Sequence, residues 1–244
     1  MNLRLQDEAA FYAEYQNDPL PANVGGEEQL SVDLIAHKLN GLPQGRIPLG
    51  CTRLTLFIDV QKTLLYYAVC AWEEDFTGAV IDYGAFPDQR RAHFTLADAT
   101  HTLQHDYPRA GLEGCLYQGL KALTDDLLTR SWLREDGLPL SIDQALIDAN
   151  WGASTDVVYQ FCRESPYAAR LLPSHGKYIG ASSQPMRERR RQPGERVGQN
   201  WVMPSVTRKR AARHVVYDTN FWKSFMAARW LATMGDRASL TLWG

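Results

Sequence analysis

The sequence has no apolar run long enough to cross a membrane and no secretion signal, so no membrane partner is expected. It has no GxxxxGK[ST] loop and no GxGxxG turn. Gly176-Lys177 stands outside the first of these framings, and nothing supports nucleotide binding. Cysteine is scarce. Cys51, Cys70, Cys115 and Cys162 are widely spaced, form no CxxC pair, and mostly sit inside apolar segments. That argues against a disulfide framework or a zinc site and for reduced core thiols in a cytoplasmic protein. An excess of charge is lacking as well, since the total is only −2.

The near-neutral total hides an uneven distribution. Residues 187–213 hold nine Lys or Arg against two Glu, a net of +7, and the remainder holds 17 basic and 26 acidic residues, a net of −9. An acidic body with one concentrated basic segment suggests a polyanion contact there. The basic residues are Arg187, Arg189, Arg190, Arg191, Arg196, Arg208, Lys209, Arg210 and Arg213. They lie on no evident recognition helix, and Pro193 and Gly194 argue against one, so a mobile arm that touches phosphates without reading bases is expected. Trp201 is placed to pack or to stack on a base.

A hydrophobic content of 45% over 244 residues suits one large α/β domain, or one domain with an appendage. Residues 54–86 organise it: LTLFIDVQKTLLYYAVCAWEEDFTGAVIDYGAF. Three apolar runs separated by short polar breaks predict an antiparallel meander. The first two runs are almost wholly apolar, which predicts cover on both faces. Asp59 is the exception. A carboxylate at the end of a buried strand is costly unless it is paired or holds a metal. Asp82 and Asp143 also fall in predicted strands and are expected away from any site.

Residues 5–15 read as a short helix, and Ser31 as the cap of another. GLPQGRIPLG then breaks structure. His101 and His105 are four apart on a weakly helical stretch, the spacing of a metal pair. No HExxH glutamate lies between them, so a plain surface pair is expected. Residues 111–133 predict the best helix, with Leu112, Leu116, Leu120, Leu123, Leu127 and Leu128 on its core face. Residues 140–148 predict a fourth strand ending in Asp148, followed by a small-residue turn and a helix over 155–164. Strand, carboxylate, turn, helix is the layout of an α/β active-site edge. Residues 171–177 predict a fifth strand. Residues 200–206 and 214–217 predict a hairpin around TRKRAAR. Asp218 or Thr219 caps a helix over 221–233 that carries Lys223, and residues 238–243 predict a last strand.

FIDVQ, a tryptophan-ended strand, VIDYG, LIDANWGASTDVVYQFCR and YDTNFWK occur in this order. Together they resemble the nuclease domain of the phage terminase large subunit, in the lambda GpA-like family, from about residue 54 to residue 244. The resemblance implies a ribonuclease H-like α/β fold: a mixed sheet of three antiparallel strands followed by parallel ones, flanked by helices. It implies a two-metal endonuclease that uses Mg²⁺ or Mn²⁺ to cut concatemeric double-stranded DNA during packaging. Asp59 and Asp148 correspond to the first- and fourth-strand metal ligands. Asp218, a candidate third ligand, and Lys223, beside the phosphate, correspond to a further motif near the site. Terminase small subunit, ATPase motor domain and portal are the implied partners, in the host cytoplasm.

Two departures carry expectations of their own. A motor normally precedes the nuclease, and no Walker motif occurs here. Residues 1–50 are therefore expected to be a linker arm, with residues 51–244 the nuclease domain. A last ligand on a late helix is expected beyond residue 244, and its loss would turn the protein into a non-catalytic DNA-binding or assembly module.

Overall fold

The apolar runs of residues 54–86 form the spine of the fold. The structure, a computed structural model, describes residues 30–91, 93–180, 184–206 and 212–244. The helix expected over residues 5–15 lies outside them. Ser31 caps α1 (Val32–Ala36) by accepting the Leu34 N–H. β1 (Arg46–Ile47) follows, and then the meander of β2 (Arg53–Val60), β3 (Leu65–Trp72) and β4 (Gly78–Phe86).

Two helices come next, α2 (Leu103–Asp106) and α3 (Gly111–Thr129). The core leucines of α3 fall on one face as their spacing predicts. The expected helix to residue 133 stops at Thr129, because Arg130 turns to extended backbone and Trp132 buries itself in β5 (Trp132–Arg134). The expected strand over 140–148 is two pieces. β6 (Pro139–Leu140) joins β1 and β5 in a small three-stranded sheet, and only β7 (Gln144–Asp148) enters the main sheet. The break falls at Asp143, whose carboxylate accepts the Leu54 N–H at 2.8 Å.

After β7 come α4 (Gly152–Glu164), β8 (Leu171–Lys177), β9 (Arg196–Gly198), β10 (Trp201–Met203), β11 (Val215–Asp218), α5 (Thr219–Leu231) and β12 (Leu240–Leu242). Among the described residues the main sheet has nine strands, in the order β12-β4-β3-β2-β7-β8-β11-β10-β9. The meander is antiparallel, while β2, β7, β8 and β11 run parallel. The segment β4-β3-β2-β7-β8 is the expected ribonuclease H-like arrangement, three antiparallel strands and then parallel ones. β10 and β11 form the expected hairpin.

One face of the sheet meets α3 and α4. Leu56, Ile58, Ala145 and Ile147 share a single buried cluster with Leu116, Leu120, Val158 and Phe161. Each fully buried leucine there contributes about 2 kcal/mol. The expectation that both faces of the first strand are covered is not met. Leu54, Leu56, Ile58 and Val60 are buried, whereas Thr55 is exposed and Phe57 and Asp59 are only half-buried. The apolar composition of β2 conceals a two-residue alternation, and its second face stays partly open to solvent.

α5 leaves the end of β11 and reaches across the sheet, where Phe225 meets Phe76 of the β3–β4 turn edge-on at 5.3 Å. Residues ahead of β2 are tied to the body. Asn40 and Gly41 donate to the carbonyls of Leu242 and Gly244, and Ile47 is fully buried in the main core. The packed body thus begins ahead of residue 51.

The first part of the basic segment, residues 187–206, is folded onto the sheet edge where an arm was expected. Glu195, 4% exposed, is the reason. Its carboxylate accepts from Arg189 at 2.7 Å and from the Gln192 N–H at 2.8 Å, and Arg191 donates to its backbone carbonyl at 3.0 Å. These bonds close a turn that feeds β9. Trp201 packs against Gly198, where any Cβ would come within 2.3 Å of the indole, and it remains half-buried. The four cysteines are free thiols, as expected, with Cys70 half-buried and the others buried.

Candidate functional site

Two strand-terminal carboxylates meet on the half-open face. In the parallel ladder of β2 and β7, Ile58 pairs with Ile147. The next residues are Asp59 and Asp148. Neighbouring strands lie about 4.8 Å apart, and side chains at equal register point to the same face. Both aspartates lie opposite the buried isoleucines, and both are half-buried. The fold therefore sets the two carboxylates side by side.

Each is held by a neighbour. Gln61, two residues beyond Asp59, donates its amide to Asp59 Oδ2 at 2.9 Å. The Asn150 N–H approaches Asp148 Oδ1 at 3.3 Å. Burial pushes the Asp148 carboxyl above the usual carboxylate range, and the Asp59 charge pushes it the same way, while N–H groups of Asn150 and Ala149 pull against both. Asp148 thus feels Asp59 as a like charge, as neighbouring carboxylates do.

The Asn150 side chain continues the network away from Asp148. It donates to the Gly176 carbonyl at 2.9 Å, and its Oδ1 lies 3.2 Å from His175 Nδ1. His175 Nε2 is 2.9 Å from the Tyr159 hydroxyl, and His214 stands edge-on to His175 at 5.4 Å. Burial first, and the neighbouring His214, hold His175 below the ordinary histidine value. Motif reading missed Gln61, Asn150, His175 and Tyr159. The only signal was that Gln61 and Asn150 each stand two residues past an aspartate.

Residues 87–91 and 93–106 form a flap on the Asp59 end of the sheet. The Leu103 N–H donates to the Thr63 carbonyl at 2.8 Å, and Phe94 stacks on Tyr66 at 6.0 Å. Tyr66 is held above the usual phenol value by burial first, then by Asp59 and Asp98. Asp98 therefore borders the same edge, and the sequence offered no pattern that singled it out.

Asp218 does not join the pair. Asp148 pairs with Ser174, Ser174 with Val215, and Lys177 with Asp218. Asp218 is thus two strands over and three residues further along, a displacement of about 10 Å in each direction. Its Oδ1 accepts the N–H groups of Asn220 and Phe221, at 3.0 and 3.2 Å, as the cap of α5. Lys223 is exposed at the start of the second turn of that helix. Asp82 and Asp143 lie elsewhere, the first against Gln44 and Arg130, the second at the opposite end of β2.

Residues 20–202 match the terminase large subunit gpA, endonuclease domain. The chain belongs to that family. No curated protein and no solved structure matches it. The family match and the nuclease-like mixed sheet agree.

The basic residues distribute unequally. Arg189 and Arg191 are spent on Glu195. Arg196 and Arg213 are exposed and line a cleft of about 400 Å³ with Arg163, Leu172 and Met203. Arg190 is exposed, and Arg187 lies in a 3₁₀ turn, Met186–Glu188. Arg208, Lys209 and Arg210 lie outside the described residues. No helix among the described residues is long and apolar enough to cross a membrane.

Proposed function

We propose that this endonuclease domain cuts concatemeric double-stranded DNA during packaging, with Asp59 and Asp148 holding divalent cations. One observation carries the reading: the two carboxylates share a register and a face, and Asp59 raises the Asp148 carboxyl. A cation relieves both the repulsion and the burial of charge. Carboxylate oxygens are hard donors and suit Mg²⁺ or Mn²⁺. Two such ions, when bound, activate water and stabilise the leaving oxygen of a phosphodiester.

The chain's own residues have separate tasks in this scheme. Gln61 orients Asp59, and Asn150 fixes Asp148. Asp218 anchors the start of α5 and thereby positions Lys223, which meets a phosphate of the bound duplex. Arg190, Arg196 and Arg213, joined by Arg163, contact the DNA backbone. The terminase small subunit, an ATPase motor domain and the portal are the proposed partners, in the host cytoplasm.

A second reading rests on Asp218. Because its carboxylate is used as a helix cap, Asp218 does not complete the Asp59–Asp148 pair, and an incomplete ligand set would leave a non-catalytic DNA-binding module. Nicking of supercoiled plasmid separates the two. The first reading expects nicking with Mg²⁺ or Mn²⁺ and none with chelator. The second expects salt-sensitive duplex binding without nicking.

A further inference from the structure

On the flap, three ligand-type atoms that the nuclease reading does not use point at one another. His101 Nε2 lies 2.9 Å from Asp106 Oδ1, and His105 Nδ1 lies 3.1 Å from the same oxygen. The ligand atoms of all three residues fall within 4.8 Å of one another. Tetrahedral zinc ligands at 2.0–2.1 Å from the metal stand about 3.3 Å apart, so small adjustments bring these atoms to one ion.

The hydrogen-bond pattern favours a cation at this point. His101 Nδ1 lies 3.2 Å from the Asp88 carbonyl, an acceptor that needs an N–H. With Nδ1 turned to that carbonyl, Nε2 is the ring nitrogen that faces the Asp106 carboxylate, at 2.9 Å. A ligating histidine whose other ring nitrogen donates to a backbone carbonyl is the usual outer arrangement of a metal site.

The scaffold is also fixed in advance. Gln89, 7% exposed, donates to the carbonyls of Pro87 and His101 and accepts the N–H groups of Thr100 and His101. One buried side chain thus clamps both arms of the loop. Thr102 caps α2, and Leu103 is fully buried beneath it. The three side chains remain reachable, at 32%, 69% and 28% exposure for His101, His105 and Asp106.

We propose that His101, His105 and Asp106 bind one transition-metal ion of the Zn²⁺ class, which braces the flap beside the Asp59 edge. Two imidazoles and one carboxylate select a borderline ion such as Zn²⁺, Co²⁺ or Ni²⁺ over Mg²⁺, and three protein ligands leave one position for water. The site is independent of the nuclease reading, because it shares no ligand with it.

The test uses the full chain carrying Asp59→Asn and Asp148→Asn, so that the other proposed site cannot contribute. Titration with Co²⁺ is followed by visible absorption, and Zn²⁺ is then added. One equivalent of Co²⁺ with a tetrahedral-type spectrum, bleached by Zn²⁺, is expected. Zn²⁺ should also raise the melting temperature, because it binds the native state. His105→Ala removes the most exposed ligand with little effect on folding. It should weaken Co²⁺ binding at least about 100-fold, beyond the 10–100-fold typical of losing an outer partner. No saturable Co²⁺ spectrum, or one unchanged by His105→Ala, would overturn the proposal.

Discussion

Asp59 and Asp148 stand at equal register on neighbouring parallel strands, one residue past the Ile58–Ile147 pair. The ladder that sets the isoleucines in the core turns both carboxylates to the opposite, half-open face. The pair therefore follows from the alternation of the strands and not from a loop conformation.

Asp59→Asn should abolish metal-dependent nicking while leaving the fold and duplex binding intact. Asn keeps an oxygen for the Gln61 amide but removes the charge that holds a cation. Plasmid nicking beside circular dichroism checks this. Activity retained in a well-folded variant would make Asp59 a structural residue.

Asp218→Ala should cost about 1 kcal/mol of stability, the usual worth of a helix cap, and leave Mn²⁺ affinity unchanged. Two backbone N–H groups lose their acceptor at the start of α5. Urea unfolding and metal titration on the same protein decide it. Lost Mn²⁺ affinity without lost stability would restore Asp218 as a ligand.

Arg196→Ala with Arg213→Ala should weaken binding of all duplexes alike and flatten the salt slope by about 2 units, one per phosphate contact. Arg189→Ala should act differently. It leaves the buried Glu195 without its charge partner, so stability falls along with binding. Changed sequence preference at an unchanged salt slope would contradict backbone contact.

Asp82 gives a pH signature unrelated to cutting. It is 2% exposed, and burial raises its carboxyl above the usual range despite the donors Gln44 and Arg130. The native state therefore holds the proton more tightly than the unfolded chain. Stability from that proton is present at low pH and is lost as pH rises through the folded value. Relative to Asp82→Asn, the wild type should lose ground as the pH rises from the ordinary aspartate value, about 3.9, through the raised folded value. Urea unfolding across that range measures the difference, and a flat difference would show that Asp82 does not titrate differently on folding.

Much of the fold was legible because its signals are local. Apolar runs cut by QKT and EED mark the meander, and LIDANWG marks the turn after β7. Asp59 stood out as the charge inside an apolar run. The remainder depends on pairing at a distance. β1, β5 and β6 are only two or three residues long and exist because they pair with one another, so no periodicity announces them. The helix over 111–133 was overrun because Trp132 reads as another apolar helical position, although it buries in β5. Glu195 looked like one more charge in a basic run, and only the turn it closes reveals that it organises the arginines. Asp106, adjacent to His105, shows no ligand spacing until the flap folds His101 back over both.

The most direct test of the central claim is calorimetric titration of Mn²⁺ into the wild type and into Asp59→Asn. Saturable binding by the wild type, weakened at least about tenfold in the variant, is predicted, because one of two adjacent carboxylates is lost. Identical isotherms for the two proteins, or no Mn²⁺ binding by the wild type, would contradict the assignment of Asp59 and Asp148 as the metal-holding pair.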